Sequence, residues 1–256
     1  MTVSCAQADA EIPLPRLRTI SQLWSCGAVL GGLGVAVLAV DVPLAAWVQR
    51  GSCPSFVEKL CGLSETFGHG LGVALIVVII AVLDPWHRHV IPRILAASLG
   101  SGMLANVFKL LLARFRPQHV ALHGSGLDTF SNWFPLLGNG SWEQSFPSSH
   151  TAVAAGLAIV LACFYPRGRW LFPIFAILAG CERVVDQYHF LSDVFWGAAI
   201  GCIFAPLCVY GSGLARAFDR LETRLLTRSA APAGARGPRQ RASRAAGSAA
   251  DVTRAA

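Results

Sequence analysis

The sequence predicts an all-α fold, a polytopic membrane helix bundle with six transmembrane helices, and three observations lead to it. Hydrophobic residues make up 54% of the 256 residues and charged residues only 14%, a balance foreign to water-soluble domains. Six apolar runs recur along the chain, each near the ~20 residues that a bilayer core requires or slightly shorter. Lys and Arg gather in alternate connections between those runs, the asymmetry that orients a polytopic protein.

Residues 1–22 are mixed and polar, a cytoplasmic N-terminal tail. The run from Trp24 to Ala39 is long for the apolar region of a signal peptide, and Arg16 and Arg18 before it suit an uncleaved first span. Residues 41–63 are broken by Pro43, Gly51 and Pro54, which predicts short amphipathic pieces along the outer surface rather than a span. Further spans are expected at 70–83, 94–115, 151–165, 170–185 and 190–210, completing a membrane domain over residues 23–212. Leu214, Phe218, Leu221 and Leu225 then repeat at helical spacing among Arg216, Arg220, Arg224 and Arg228. Residues 213–228 therefore read as an amphipathic helix, either lying on anionic lipid or simply solvated. From 229 to 256, Ala, Arg, Gly and Pro without periodicity predict a disordered basic tail.

One set of connections holds Arg16 and Arg18, Arg88 and Arg93, Arg167 and Arg169, and the Arg-rich tail. The other holds Arg50 and Lys59, offset by Glu58 and Glu65, and no Lys or Arg at all in 117–149 or 186–188. The positive-inside rule puts the first set and both termini in the cytoplasm, in a multi-pass inner (plasma) membrane protein. The net charge of +7 is a property of the tail, which argues for cytoplasmic retention and against a nucleic-acid partner. Trp24, Trp86 and Trp170 near span ends suit an aromatic belt or ordinary packing. The eight cysteines show no metal-ligand spacing; Cys53 and Cys61 share a loop and are the pair that an extracytoplasmic disulfide would join.

Three polar clusters carry the chemistry. Lys109 and Arg116, seven apart, are expected on one helix face about 10 Å apart along the axis, with Pro117 ending the helix. Lys109 then lies about two turns inside the span, whereas Arg114 suits snorkelling to the interface. The second cluster, Pro147-Ser148-Ser149-His150, opens the fourth span. Its hydroxyls are either plain N-caps or part of an anion site at the helix start. In the third cluster Arg183 closes the fifth span, and His189 and Asp193 open the sixth. Four residues apart on a helix, Asp193 is placed to hold one imidazole nitrogen of His189 and leave the other as a nucleophile or base; a structural His–Asp pair has the same spacing.

Alternating spans bring the three clusters to one outer face. His150, His189, Asp193, Lys109, Arg116, Arg183, Ser148 and Ser149 then surround one point. Cations and helix N–H groups there suit a phosphate oxyanion, and the histidines suit chemistry on it. No Asp, Glu or His group has metal-ligand spacing, so neither a metal nor a cofactor is expected.

Lys109-x6-Arg116-Pro117, Pro147-Ser148-Ser149-His150 and Arg183-x5-His189-x3-Asp193 resemble, in order and spacing, the three-part signature of the type 2 phosphatidic acid phosphatase (PAP2) superfamily, over roughly residues 24–212. The resemblance implies a six-helix, metal-independent membrane phosphatase acting through a phosphohistidine intermediate, with a lipid phosphate substrate and the membrane lipids as its partners. By that resemblance His189 is the nucleophile, Asp193 its orienting partner and His150 the general acid. Lys109, Arg116, Ser148 and Arg183 bind the phosphate, with the backbone N–H of Ser149 assisting. Two positions depart from the pattern: Ser149 stands where Gly is usual, and Glu182 where Ser is usual. Ser149 keeps its N–H, while Glu182 is expected to point away from the pocket, since a carboxylate repels phosphate. The resemblance admits undecaprenyl diphosphate, phosphatidate or phosphatidylglycerol phosphate, and the phosphates of lipid A as substrates. A non-catalytic lipid-phosphate binding or transport protein would use the same cationic pocket, yet binding alone has no need of two histidines. Trp133, Phe134 and Trp142 in the outer loop are candidates for a lipid-facing entrance or for interfacial anchors.

Overall fold

The computed structural model describes residues 18–136 and 140–230. The predicted tails before residue 18 and after residue 230 lie outside the described residues. Chain contacts separate a unit running to Phe218 from one that starts at Asp219. The first contains α1 (Arg18–Ala36), α2 (Leu38–Gln49), α3 (Ser55–Gly62), α4 (Glu65–Gly68), α5 (Gly70–Leu83), α6 (Ile91–Lys109), β1 (Leu112–Arg114), β2 (Phe130–Trp133), α7 (Ser149–Phe164), α8 (Leu171–Val185) and α9 (Leu191–Val209). α10 (Gly213–Ala230) carries the chain into the second unit, where Leu221 and Leu226 are exposed.

α7 is the central helix. It is rich in Ala and apolar all round, the pattern of a helix buried on every side. It packs against α6, α8 and α9, and α9 packs in turn against α1 and α6. Ile94, Ala97, Ala154, Leu157 and Val160 are wholly buried where α6 meets α7. α5 instead turns Leu71, Leu75, Val78 and Val82 outward, an apolar stripe at helical spacing that suits lipid rather than water. Pro85–Lys109 and Leu191–Val209 are each long and apolar enough to cross a bilayer. The α1 and α2 segments together would supply a third crossing, bent by 69°, while α5 and α7 are shorter apolar helices.

Two sequence expectations are corrected. The stretch after Asp41 is a surface piece only in part: α3 exposes Phe56, Val57 and Leu60 as expected, whereas α2 accommodates Pro43 and buries Asp41, Val42, Ala45 and Val48. Asp41 is buried because it finds a cation and a helix start to bind, described below. The third apolar run is also not helical to Pro117. α6 ends at Lys109, and the N–H groups of Leu110 and Leu111 close tight turns onto Val107 and Phe108, at 3.1 and 3.0 Å. Leu112, Ala113 and Arg114 then pair antiparallel with Trp133, Asn132 and Phe130. The helix stops early because this backbone bonds to β2, and because the ring of Pro117 holds Arg116 in an extended conformation. Lys109 and Arg116 therefore share no helix face, and Lys109 stands at a helix end.

Candidate active site

The C-terminal ends of α6 and α8 and the N-terminal ends of α7 and α9 converge on a cavity of about 420 Å³. Lys109, Arg116, Ser149, His150, Arg183 and His189 line it, together with Glu65, His69, Asn106 and Tyr188. Ser148 and Asp193 stand behind the lining, wholly buried.

His189 owes its place to the way α8 ends. Gln187 takes a left-handed φ of 59°, and the N–H groups of Tyr188 and His189 both donate to the Arg183 carbonyl at 3.1 Å, satisfying a helix-end acceptor. Three residues into the next helix, Asp193 accepts the Phe190 N–H at 2.8 Å, the position where a carboxylate favours a helix start. His189 Nδ1 lies 3.7 Å from Asp193 Oδ2. That is an ion-pair separation and too long for a hydrogen bond, and Nδ1 is buried without a hydrogen-bond partner. With Nδ1 facing Asp193, Nε2 is the nitrogen left for the cavity. Burial pushes the His189 imidazole down to about 4; Lys109 and Arg116 add to the shift and Asp193 opposes it. The ring is thus uncharged at neutral pH, the form with a free lone pair.

At the start of α7 the two serines divide their roles. Ser148 is the N-cap: its hydroxyl accepts from the Thr151 N–H at 3.3 Å and from the Thr151 hydroxyl at 2.9 Å, so it serves the helix rather than the cavity. Its own N–H donates to the Asp193 carbonyl at 3.0 Å. A Cβ at Gly197 would stand 2.3 Å from the Ser148 carbonyl oxygen, so only glycine lets α9 come this close. The Ser149 hydroxyl donates to Asn106 Oδ1 at 2.6 Å. The N–H groups of Ser149 and His150 are those that a helix start offers to an anion. The His150 and His69 rings are 5.5 Å apart, and a Cβ at Gly68 would lie 2.8 Å from the His150 carbonyl oxygen.

The cations are arranged around Tyr188. The Arg116 and Arg183 guanidinium groups lie 5.4 and 5.0 Å from its ring centre, both within cation–π range. The Arg116 N–H donates to the Trp142 carbonyl at 2.8 Å, while its side-chain Nε is buried without a partner, a donor that an oxyanion would satisfy. Glu182 is turned away from the cavity, as expected, and the structure adds the partner that holds it there. Its carboxylate takes Nε and Nη2 of Arg183, and Glu65 Oε1 accepts from the same Nη2 at 3.1 Å. A buried guanidinium left without a counter-charge is strongly destabilising, which accounts for the pairing.

Arg114 does not snorkel. It is wholly buried, with Nε on Thr129 Oγ1 at 2.8 Å, Nη1 on Ser192 Oγ at 2.7 Å and Asp193 Oδ1 at 2.5 Å, and Nη2 on Asp41 Oδ2 at 2.7 Å. Sequence reasoning missed Arg114 and Asp41 behind the site, and Glu65, His69, Asn106 and Tyr188 within it. A signal existed for Asp41, a lone carboxylate among Ala39, Val40, Val42, Pro43 and Leu44, where charge is costly without a purpose. Trp133, Phe134 and Trp142 are exposed, and the cavity lining includes none of them. Cys53 and Cys61 are free thiols, so the loop disulfide is not formed.

All three polar clusters lie in the segment from Lys109 to Asp193. Residues 92–216 match the PAP2 superfamily. The PAP2 segment covers α6 to the first turn of α10, whereas Asp41, Glu65 and His69 come from the chain ahead of it. The fold is shared with the crystal structure of the PAP2-type phosphatidylglycerolphosphate phosphatase from Bacillus subtilis, with a TM-score of 0.52 and 19% identity over 80% of this chain and 97% of that one. Among curated proteins, the chain is 37% identical over 107 residues to the lipid A 1-phosphatase of Rhizobium johnstonii, 42% of this chain and 41% of that protein. It is equally identical over 107 residues to the lipid A 1-phosphatase of Rhizobium etli, 42% of this chain and 44% of that one. A shorter stretch of 63 residues is 30% identical to the bacitracin transport permease protein BcrC of Bacillus licheniformis, 25% of this chain and 31% of that one. The matched stretch spans about two fifths of each lipid A 1-phosphatase.

Proposed function

We propose that this chain is an integral membrane phosphatase that hydrolyses a lipid phosphate or diphosphate through a phosphohistidine on His189, without a metal ion. The observation that carries the proposal is geometric: His189, backed by Asp193 at 3.7 Å, lines one cavity with Arg116, Lys109, Arg183 and the start of α7, groups suited to an oxyanion. In the first step His150 carries a proton taken up with the negatively charged substrate, His189 Nε2 attacks phosphorus, the bond from phosphorus to the leaving oxygen (of the lipid, or of the lipid phosphate in a diphosphate) breaks, and His150 gives that oxygen its proton. In the second, His150 takes a proton from water as the water oxygen attacks phosphorus, the P–N bond breaks and inorganic phosphate leaves. Arg116, Lys109, Arg183 and the N–H groups of Ser149 and His150 hold the oxygens on which charge builds up. Ser148 acts by capping that helix start.

The substrate panel is ordered by the relatives. Two lipid A 1-phosphatases put a lipid A phosphate first, followed by phosphatidylglycerol phosphate, phosphatidate and undecaprenyl diphosphate. Purified protein in detergent with excess chelator is expected to release phosphate from at least one of these, and orthovanadate to inhibit the release. Activity lost in chelator and restored by a divalent ion would contradict the metal-free mechanism. Tight binding of the panel without release from any member would support a binding protein instead.

The same proposal includes six crossings, both termini in the cytoplasm and the cavity on the outer face. Its support is the charge pattern: the turns that lie at the far end of α6 and α7 from the cavity carry Arg88, Arg167 and Arg169, and basic connections stay inside. A reporter fused after Ala121 is expected to behave as extracytoplasmic and one after Arg167 as cytoplasmic. The reverse pattern contradicts the orientation.

A further inference from the structure

We propose that Asp41 and Arg114, outside the three sequence clusters, are positioning residues for the reaction: they fix the Asp193 carboxylate and set the charge behind His189. The inference rests on the reading that His189 attacks phosphorus.

Arg114, Asp41 and Asp193 have no side-chain exposure. The guanidinium bridges the two carboxylates, at 2.5 Å to Asp193 Oδ1 and 2.7 Å to Asp41 Oδ2. The rings of Phe190 and Phe130, 4.2 and 4.7 Å from its centre, keep it there. Asp193 Oδ2 is fixed in turn by the Ser145 hydroxyl at 2.6 Å and the Phe190 N–H at 2.8 Å. The carboxylate facing His189 therefore has no freedom to rotate away.

Asp41 contributes in two ways. Its Oδ1 accepts the Ser192 N–H at 3.0 Å and its Oδ2 the Ser192 hydroxyl at 2.5 Å, so α2 ties down the first turn of α9, which Phe190 does not cap by its side chain. Its second contribution is charge. A guanidinium paired with Asp193 Oδ1 alone would cancel the carboxylate whose Oδ2 must stabilise a positive imidazole. With Asp41 included, two carboxylates and one guanidinium leave a formal charge of −1 beside His189. A buried ion pair kept for stability alone is poorly explained, since apolar residues of equal volume usually serve as well.

The test compares kcat, KM, orthovanadate inhibition, thermal midpoint and the acid limb of kcat/KM for the full chain in detergent and for Asp41→Asn. Glu65, His69, Lys109, Arg116, His150, Arg183, Tyr188 and Asp193 also surround His189, lining the cavity or behind it, and are the same in both proteins, so the difference reports Asp41. Asp41→Asn is expected to lower kcat about tenfold and to move the acid limb about one unit down in pH, the size of one pKa unit at His189. KM and orthovanadate inhibition should stay within about twofold, since no group that touches phosphate has changed. An unchanged kcat and limb, or a kcat that falls only together with orthovanadate affinity and thermal midpoint, overturns the proposal.

Ser192→Ala removes the hydroxyl that Arg114 and Asp41 share beside their direct contact, and keeps the test open should Asp41→Asn fail to fold. It is expected to lower kcat roughly threefold to tenfold, the range one lost hydrogen bond gives, with orthovanadate inhibition unchanged. Should Asp41→Asn fail to fold, a wild-type kcat and acid limb both for Ser192→Ala and for Arg114→Lys overturn the proposal as well. His189→Ala is measured alongside: if it retains turnover, the assignment of the nucleophile fails, a result distinct from an inactive His189→Ala beside an unaffected Asp41→Asn.

Discussion

His189→Ala is expected to abolish turnover of every substrate, a fall on the order of 10⁴-fold to 10⁶-fold, as when a nucleophile is deleted from a unit that acts together. Stability should change little by comparison, because Nδ1 makes no hydrogen bond that the variant would lose. The same variant should still bind orthovanadate, since Arg116, Lys109, Arg183 and the start of α7 are untouched. The measurement is kcat on the best lipid phosphate and on an activated aryl phosphate. Residual turnover within about tenfold of wild type on either substrate would remove the nucleophile assignment, because general binding effects cannot replace a covalent step.

His150→Ala should fail differently. His150 sits at the first turn of α7 beside His69, and with His189 taken as the nucleophile its proposed task is to protonate the departing oxygen, once the negative charge of the bound phosphate has brought a proton onto its ring. That task matters in proportion to the basicity of the leaving group, and general acid catalysis is worth ~10²-fold to 10⁴-fold. In the first step, read as the rate of phosphoenzyme formation within one turnover, the loss should be of that size for a lipid alkoxide and small for an activated nitrophenolate, which departs without a proton; steady-state turnover falls on both, because the second step has lost its base. Equal first-step losses on both substrates would show that His150 binds phosphate and donates no proton.

Much of the site was legible because each cluster borders an apolar run, and the polarity of the sequence changes sharply there. His189 and Asp193 could be paired from their spacing of four, although His189 stands in the bend just before α9 and not on the helix. The path from Lys109 to Arg116 could not. It depends on β1 pairing with β2, whose strands are joined by a loop that gives no alternating pattern, and three residues are too few to signal a strand. Arg114 was misread for a related reason: its nearest counter-charges, Asp41 and Asp193, are 73 and 79 residues away in the chain, so nothing local distinguishes it from a cation at a membrane interface. Glu65 and His69 escaped because α4 has only four residues, without a periodic pattern to place it over α7. Spacing alone left Ser148 and Ser149 between cap and anion site, and the resemblance assigned Ser148 to the phosphate; in the structure the Ser148 hydroxyl caps the helix and Ser149 is the serine that lines the cavity.

The most direct measurement is to trap the covalent intermediate. Lipid phosphate labelled in the transferred phosphoryl group is mixed with purified protein, quenched in alkali within the first turnover, and digested. The label is expected on the peptide carrying His189, stable to base and lost in acid as a phosphorus–nitrogen bond requires. It should be absent in His189→Ala and prolonged in His150→Ala when an activated aryl phosphate is the donor, since that variant can form the intermediate but lacks the base for the second step. Turnover with no label on any residue, or label that remains in His189→Ala, contradicts the mechanism.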